Sequence, residues 1–181
     1  MRVGEECRLN NTDVVRGRDA FRCMMPWAFH GYANEFIKAA KSLGMKGNFP
    51  PVSYFLYCKS IELSLKAFLL AKNMPISILK GKKGIGHNLE RALEEAEMRG
   101  LLYIVEIPCR YKEELRKVNY YYEGKAFEYY DNYEAMTKVG DELSLEVLSE
   151  FASILVEKLK KICLESAETL AKKSKEGKLE S

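Results

Sequence analysis

Apolar residues recur along most of this chain at three- and four-residue spacing, the pattern of helices that turn one face to a core. Phe29, Ala33, Phe36, Ala40 and Leu43 form one such stripe. It follows a short lead-in helix that Thr12-Asp13 can cap and that ends near Pro26, and Gly44 closes it. A second helix opens after Pro50-Pro51 and runs to about Asn73, with Tyr54, Cys58, Ile61, Leu65 and Phe68 on one face and Leu56, Leu63 and Leu70 on another. Its polar stripe, Lys59, Glu62 and Lys66, is so narrow that this helix is expected at the centre of the fold. Ser60, Ser64, Ala67 and Ala71 supply a small-residue seam that lets a neighbouring helix come close.

Pro75 to Gly86 reads as a loop that delivers His87-Asn88 to the start of a third helix, in which Leu89, Ala92, Leu93 and Ala96 face inward and Gly100 is the stop. Pro108 begins a fourth, with Tyr111, Leu115, Val118 and Tyr122 on one side. The last helix, from about Asp141 to Lys173, spaces Leu145, Leu148, Ala152, Leu155, Leu159 and Ile162 as a heptad seam, with Val147, Phe151 and Ile154 as a further apolar strip. The seam suits either the interior of the bundle or a second copy of the chain. Only Phe127 to Tyr133 offers any strand-like alternation. The expected fold is all-α, an antiparallel bundle of about five helices, with 1–173 as one domain and 174–181 as a charged tail.

Bulk properties narrow the class. A chain of 181 residues buries about 70% of its unfolded surface without metal or disulfide staples. With 29 basic and 26 acidic residues interleaved along the helices, the net charge of +3 permits nucleic-acid binding without demanding it. The five cysteines, Cys7, Cys23, Cys58, Cys109 and Cys163, are widely spaced and include no Cys-x-x-Cys pair, which argues for buried free thiols rather than a disulfide framework or zinc site. With no apolar leader and no membrane-length apolar run, a cytoplasmic location is expected.

Candidate chemistry gathers on the second helix and the loop after it. Glu62 and Lys66 stand one turn apart in the favourable acid-first order, either as an ion pair pinning helices or as part of a ligand site. His87 sits behind a lysine- and glycine-rich loop, where it either packs and hydrogen-bonds Glu62 or, with the helix start, receives an anion. Lys80, Lys82 and Lys83 add positive charge, but Lys80 to Gly86 lacks the Gly-Lys-Ser/Thr ending of a P-loop and follows a helix rather than a strand. His30 reads as a boundary residue. The aromatics Tyr120, Tyr121, Tyr122, Phe127, Tyr129, Tyr130 and Tyr133 suit either stacked bases or a wet core edge. No cofactor and no metal is implied, and no nucleophile motif is recognisable.

Glu62-x-x-x-Lys66, the apolar run Ala67-Phe68-Leu69-Leu70, and Gly86-His87-Asn88-Leu89 before a short acidic amphipathic helix together resemble the HEPN superfamily, with a weaker echo at Asn119, Tyr122 and Phe127-Glu128-Tyr129. The resemblance covers about Val52 to Leu101. It implies an antiparallel helical bundle, often a homodimer, in toxin–antitoxin, phage-defence or RNA-processing systems, with a nucleotidyltransferase or defence protein as partner. Many such domains are metal-independent ribonucleases that use an Arg and, after four to six intervening residues, a His. Here no histidine follows Arg110 or Arg116, and Arg22 precedes His30 at the wrong distance. The expected function is therefore non-catalytic binding of nucleotide or RNA, with Glu62, Lys66, Lys82, Lys83, His87, Arg116 and Tyr122 as candidate ligand residues. A diverged ribonuclease built from Arg116, Tyr122 and His87 is one alternative, and a purely structural interaction module is another.

Overall fold

A computed structural model describes residues 26–43, 50–80, 84–128 and 143–176. The lead-in helix, Gly44, Lys82, Lys83, Tyr129, Tyr130, Tyr133, Cys7 and Cys23 lie outside the described residues. Six α-helices appear among those described: α1 (Pro26–Leu43), α2 (Pro51–Ala71), α3 (Ile76–Lys80), α4 (Leu89–Met98), α5 (Cys109–Glu123) and α6 (Leu145–Glu176). A 3-10 turn, Leu101–Tyr103, joins α4 to α5, and no strand occurs among the described residues. The fold is all-α, a helical bundle, and no described helix is long and apolar enough to cross a membrane.

α2 is the central helix: it packs on α1, α4 and α6 and touches α5. Cys58, Ile61, Leu65, Ala67, Phe68 and Leu69 are fully enclosed, so water reaches almost none of its middle turns. The small-residue seam meets α1, where Ser60 Oγ donates to the Ala33 carbonyl at 2.8 Å, an approach that larger side chains would block. Because that approach governs the orientation of α1, its inward face is His30, Ala33, Ile37 and Ala40. Phe29 is therefore only partly buried and Leu43 is exposed, against the stripe expected from the phenylalanines. His30 is a core residue rather than a boundary one, its Nε2–H donating to the Val156 carbonyl of α6 at 2.7 Å.

The heptad seam of α6 is spent inside the bundle. Leu148, Ala152, Leu155 and Leu159 are enclosed, and Phe151 of the further apolar strip is buried too, stacked on Tyr111 at 5.0 Å. Ser144 caps α6 by accepting from Val147 N–H, and its own N–H donates to the buried carboxylate of Glu114.

Helix ends follow local chemistry. At the end of α2, Asn73 takes a left-handed φ of 62°, Met74 N–H reaches back to Leu69 O and Asn73 N–H to Leu70 O, which closes the helix two residues before the expected Asn73. α4 buries the four residues its pattern predicts and stops at Gly100, φ 86°. A Cβ there would lie 3.0 Å from the Tyr103 ring. Gly100→Ala should therefore lower stability by about 1–2 kcal/mol. Gly31→Ala, inside α1 with open space at its Cβ, should raise it by about 0.5–1 kcal/mol. Urea denaturation midpoints of the two variants beside wild type check both signs.

Candidate functional site

The centre of the site is a carboxylate inside the bundle. Glu62 is only 2% exposed, yet four donors converge on it from three parts of the chain. Lys66 Nζ reaches Oε1 at 2.6 Å, while Lys59 Nζ at 3.2 Å, His87 Nδ1 at 3.1 Å and the Tyr122 hydroxyl share Oε2. Burial alone would raise the pKa of this group. The charges of Lys66 and Lys59, with hydrogen bonds from Lys66 and Tyr122, reverse that effect and bring it down to about 2. Glu62 is thus an anion at any ordinary pH. Burial first, then the charge and hydrogen bond of Glu62, push the Tyr122 phenol far above its usual range, so it stays a neutral donor.

Lys66 is engaged on a second side as well. Besides Glu62 it donates to the carbonyl of Gly86, whose left-handed φ of 56° turns that oxygen inward. Ile85 N–H bonds Ile78 O, and the Ile85 side chain is enclosed, so Gly84 to Asn88 is tied to both α2 and α3. The expected loop accordingly contains the short helix α3, with Leu79 in the core.

His87 stands on that tied segment with 55% of its side chain exposed. An ionised carboxylate only accepts, so the hydrogen between Glu62 and the ring sits on Nδ1. Nε2 is the ring nitrogen left over, and it has no hydrogen-bond partner among the described residues. The Tyr122 and His87 rings stand nearly perpendicular to each other, centroids 6.3 Å apart.

Beside His87 opens a cleft of about 540 Å³ lined by Lys66, Lys80, Gly84, Ile85, Gly86, His87, Asn88, Arg91, Glu123 and Lys125. Lys80 and Lys125 pair with no carboxylate among the described residues. Arg91 donates to Gly84 O at 2.8 Å, which bends its guanidinium along the wall. Glu123 is the one acidic lining residue, and its carboxylate accepts from Asn88 Nδ2 at 2.9 Å. Lys125 holds a left-handed φ of 59° at the end of α5, where Ala126 N–H reaches Tyr121 O and Lys125 N–H reaches Tyr122 O. That conformation is rare for a residue with a Cβ.

The start of α4 is not an open anion site. Leu89 N–H donates to the buried Asn119 Oδ1 at 2.7 Å and Arg91 N–H to Asn88 Oδ1 at 2.8 Å, so its first turn is capped from within.

Of the residues proposed from sequence, the fold brings together Glu62, Lys66, His87 and Tyr122. Arg116 is elsewhere: it pairs with Glu90 at 3.2 Å and lines a separate recess of about 220 Å³ with Lys112 and Glu97. Lys82 and Lys83 lie outside the described residues. Tyr122, 3% exposed with its hydroxyl given to Glu62, has no free face for a base. Sequence reasoning missed Arg91, Glu123 and Lys125. Arg91 carried a usable signal, being four residues after His87, whereas Lys125 carried none. Among the described residues no three His, Cys, Asp or Glu side chains gather as a metal site.

No protein-family model matches this chain, and no significant match was found among curated proteins or solved structures.

Removing one partner of a buried ion pair strands the other charge, so Glu62→Ala should cost about 3–5 kcal/mol. Glu62→Leu with Lys66→Met should recover a large part of that loss. The folded pKa of Glu62 lies below its ordinary value of 4.5, so its stabilisation is complete above about pH 5 and drains away as pH falls toward about 2. Denaturant unfolding between pH 2 and pH 7 should show this acid limb in wild type and a flatter one in Glu62→Gln.

Proposed function

We propose that this chain is a HEPN-like helical domain that binds a phosphate-bearing ligand, a nucleotide or RNA, in the cleft between α3, α4 and the end of α5, and that it does so without catalysis. The observation that carries this reading is the sign of the cleft: Lys80, Arg91 and Lys125 against the single carboxylate of Glu123, with the half-exposed His87 imidazole between them. Its volume of about 540 Å³ falls within the range of small-ligand sites. Such a wall concentrates anions, and charge-assisted hydrogen bonds hold them.

In this reading Lys66 is not itself the phosphate ligand. Its ammonium is engaged by Glu62 and Gly86, which gives it the task of fixing the cleft wall. The same engagement favours a structural role for the Glu62–Lys66–Tyr122 group, and the two roles divide cleanly at the loop: structure beneath it, ligand above it. The diverged ribonuclease alternative draws no support from the separation of Arg116 from His87 and Tyr122. The resemblance extends the proposal to assembly, with a second copy of the chain, or a nucleotidyltransferase or toxin–antitoxin or phage-defence protein, as partner.

Titration of nucleotides and a short single-stranded RNA at two salt concentrations, with light scattering on the same samples, tests the cleft. Lys80→Ala and Lys125→Ala should each weaken binding about tenfold, the worth of about 1.4 kcal/mol, with unchanged melting temperature. For RNA, each should also make the salt dependence shallower by about 0.7 in the log–log slope. Lys66→Ala should lower the melting temperature. Unchanged affinity in both surface-lysine variants would remove the site.

A further inference from the structure

The anchoring of His87 restricts what the cleft accepts, a restriction that rests on the phosphate-binding reading above. Glu62 holds the imidazole through Nδ1–H, so the neutral ring offers only an acceptor, Nε2, toward the cleft. An internal phosphodiester is also only an acceptor at neutral pH and brings no proton of its own to place between itself and this lone pair. A phosphomonoester loses its second proton at about pH 6, and near neutrality it can still supply one P–O–H to Nε2. Equivalently, the proton resides on the imidazole and the dianion accepts from it. One proton is shared between ring and ligand in either description.

Two further observations point the same way. The cleft is of single-ligand size, which suits a terminal group better than a run of linked ones. The cations Lys80, Arg91 and Lys125 match the larger charge of a monoester.

We infer that the cleft recognises a terminal phosphomonoester, as carried by a mononucleotide or by the phosphorylated end of an RNA strand, through a proton shared between the ligand and Nε2 of His87. The ionisable groups around the ring are Glu62, Lys59 and Lys66 on α2, Tyr122 and Glu123 on α5, Lys125 in the turn after it, Lys80 on α3 and Arg91 on α4. Glu62 is held anionic and Tyr122 neutral, so neither competes for this proton between pH 6 and pH 9.

The test is calorimetric titration of the full chain with one RNA sequence in three forms, 5′-phosphorylated, 3′-phosphorylated and hydroxyl-ended, together with AMP, adenosine and inorganic phosphate. At pH 6.5 a phosphorylated end is expected to bind at least tenfold tighter than hydroxyl ends, and AMP at least tenfold tighter than adenosine. Between pH 6.5 and pH 8.5 the wild type should lose tenfold or more. Deprotonation of the phosphate by itself would strengthen its attraction to the three cations, so a loss points to the shared proton, and a smaller loss for the hydroxyl-ended strand over the same interval assigns that proton to the monoester. His87→Gln, whose amide donates without titrating, should bind the monoester with no loss over the same interval, its fold verified by melting temperature. AMP competing as well as the phosphorylated strand would support the inference with the mononucleotide as source. A strand far tighter than AMP would support it with the strand end as source. Equal affinity for phosphorylated and hydroxyl-ended RNA, or a pH-independent wild type, would overturn the inference and leave the cleft as a site for backbone phosphate. No binding of any of these ligands would overturn the underlying reading and this inference with it.

Discussion

The buried carboxylate of Glu62 is the constraint to which the rest of the structure answers. An isolated anion at that depth would be expelled or protonated. It is tolerated because four donors reach it, and those donors come from α2 itself, from the segment before α4 and from α5. The requirement to satisfy one charge therefore joins elements that are up to 60 residues apart in sequence. An apolar side chain of similar volume would be easier to bury, but it would not specify which face of α5 meets α2 or where the Gly84–Asn88 segment lies.

That joining has a directional effect on the surface. Lys66 is drawn inward and holds the Gly86 carbonyl, Asn119 and Asn88 close the first turn of α4, and His87 is left with one nitrogen bound and the other toward the cleft. Polar groups that a sequence reader would assign to a ligand are consumed by the fold. The cations lining the cleft without a role in this internal network, Lys80 and Lys125, come from the ends of α3 and α5, where loss of helical geometry lets side chains converge.

How much of this was legible follows from the range of each interaction. α4 could be read to the residue, since its burial follows one strong 3.6-residue period. Glu62–Lys66 was legible because both partners sit on one helix at i and i+4. The face of α1 was not, because large aromatics dominate a periodicity argument while Ala33 and Ser60 decide how closely two helices approach. His30 in the core, Glu114 at the cap of α6 and Tyr122 on Glu62 all depend on partners at least 30 residues away, which no local pattern encodes. Lys125 was hidden for a different reason: glycine is the usual signal for a left-handed closing residue, and here Gly124 stands one position early with lysine in the strained place.

The placement of Lys125 bears on the cleft as well as on the helix end. A lysine held at φ 59° costs about 1 kcal/mol relative to glycine, and stability alone would be served by glycine one residue later. The side chain that the strain retains is a cation on the wall of the one described cleft that also holds the Glu62-anchored imidazole. Backbone strain and positive charge thus coincide at Lys125 on one wall of the cleft, a combination that ending α5 does not by itself call for and that the proposed anionic ligand would use.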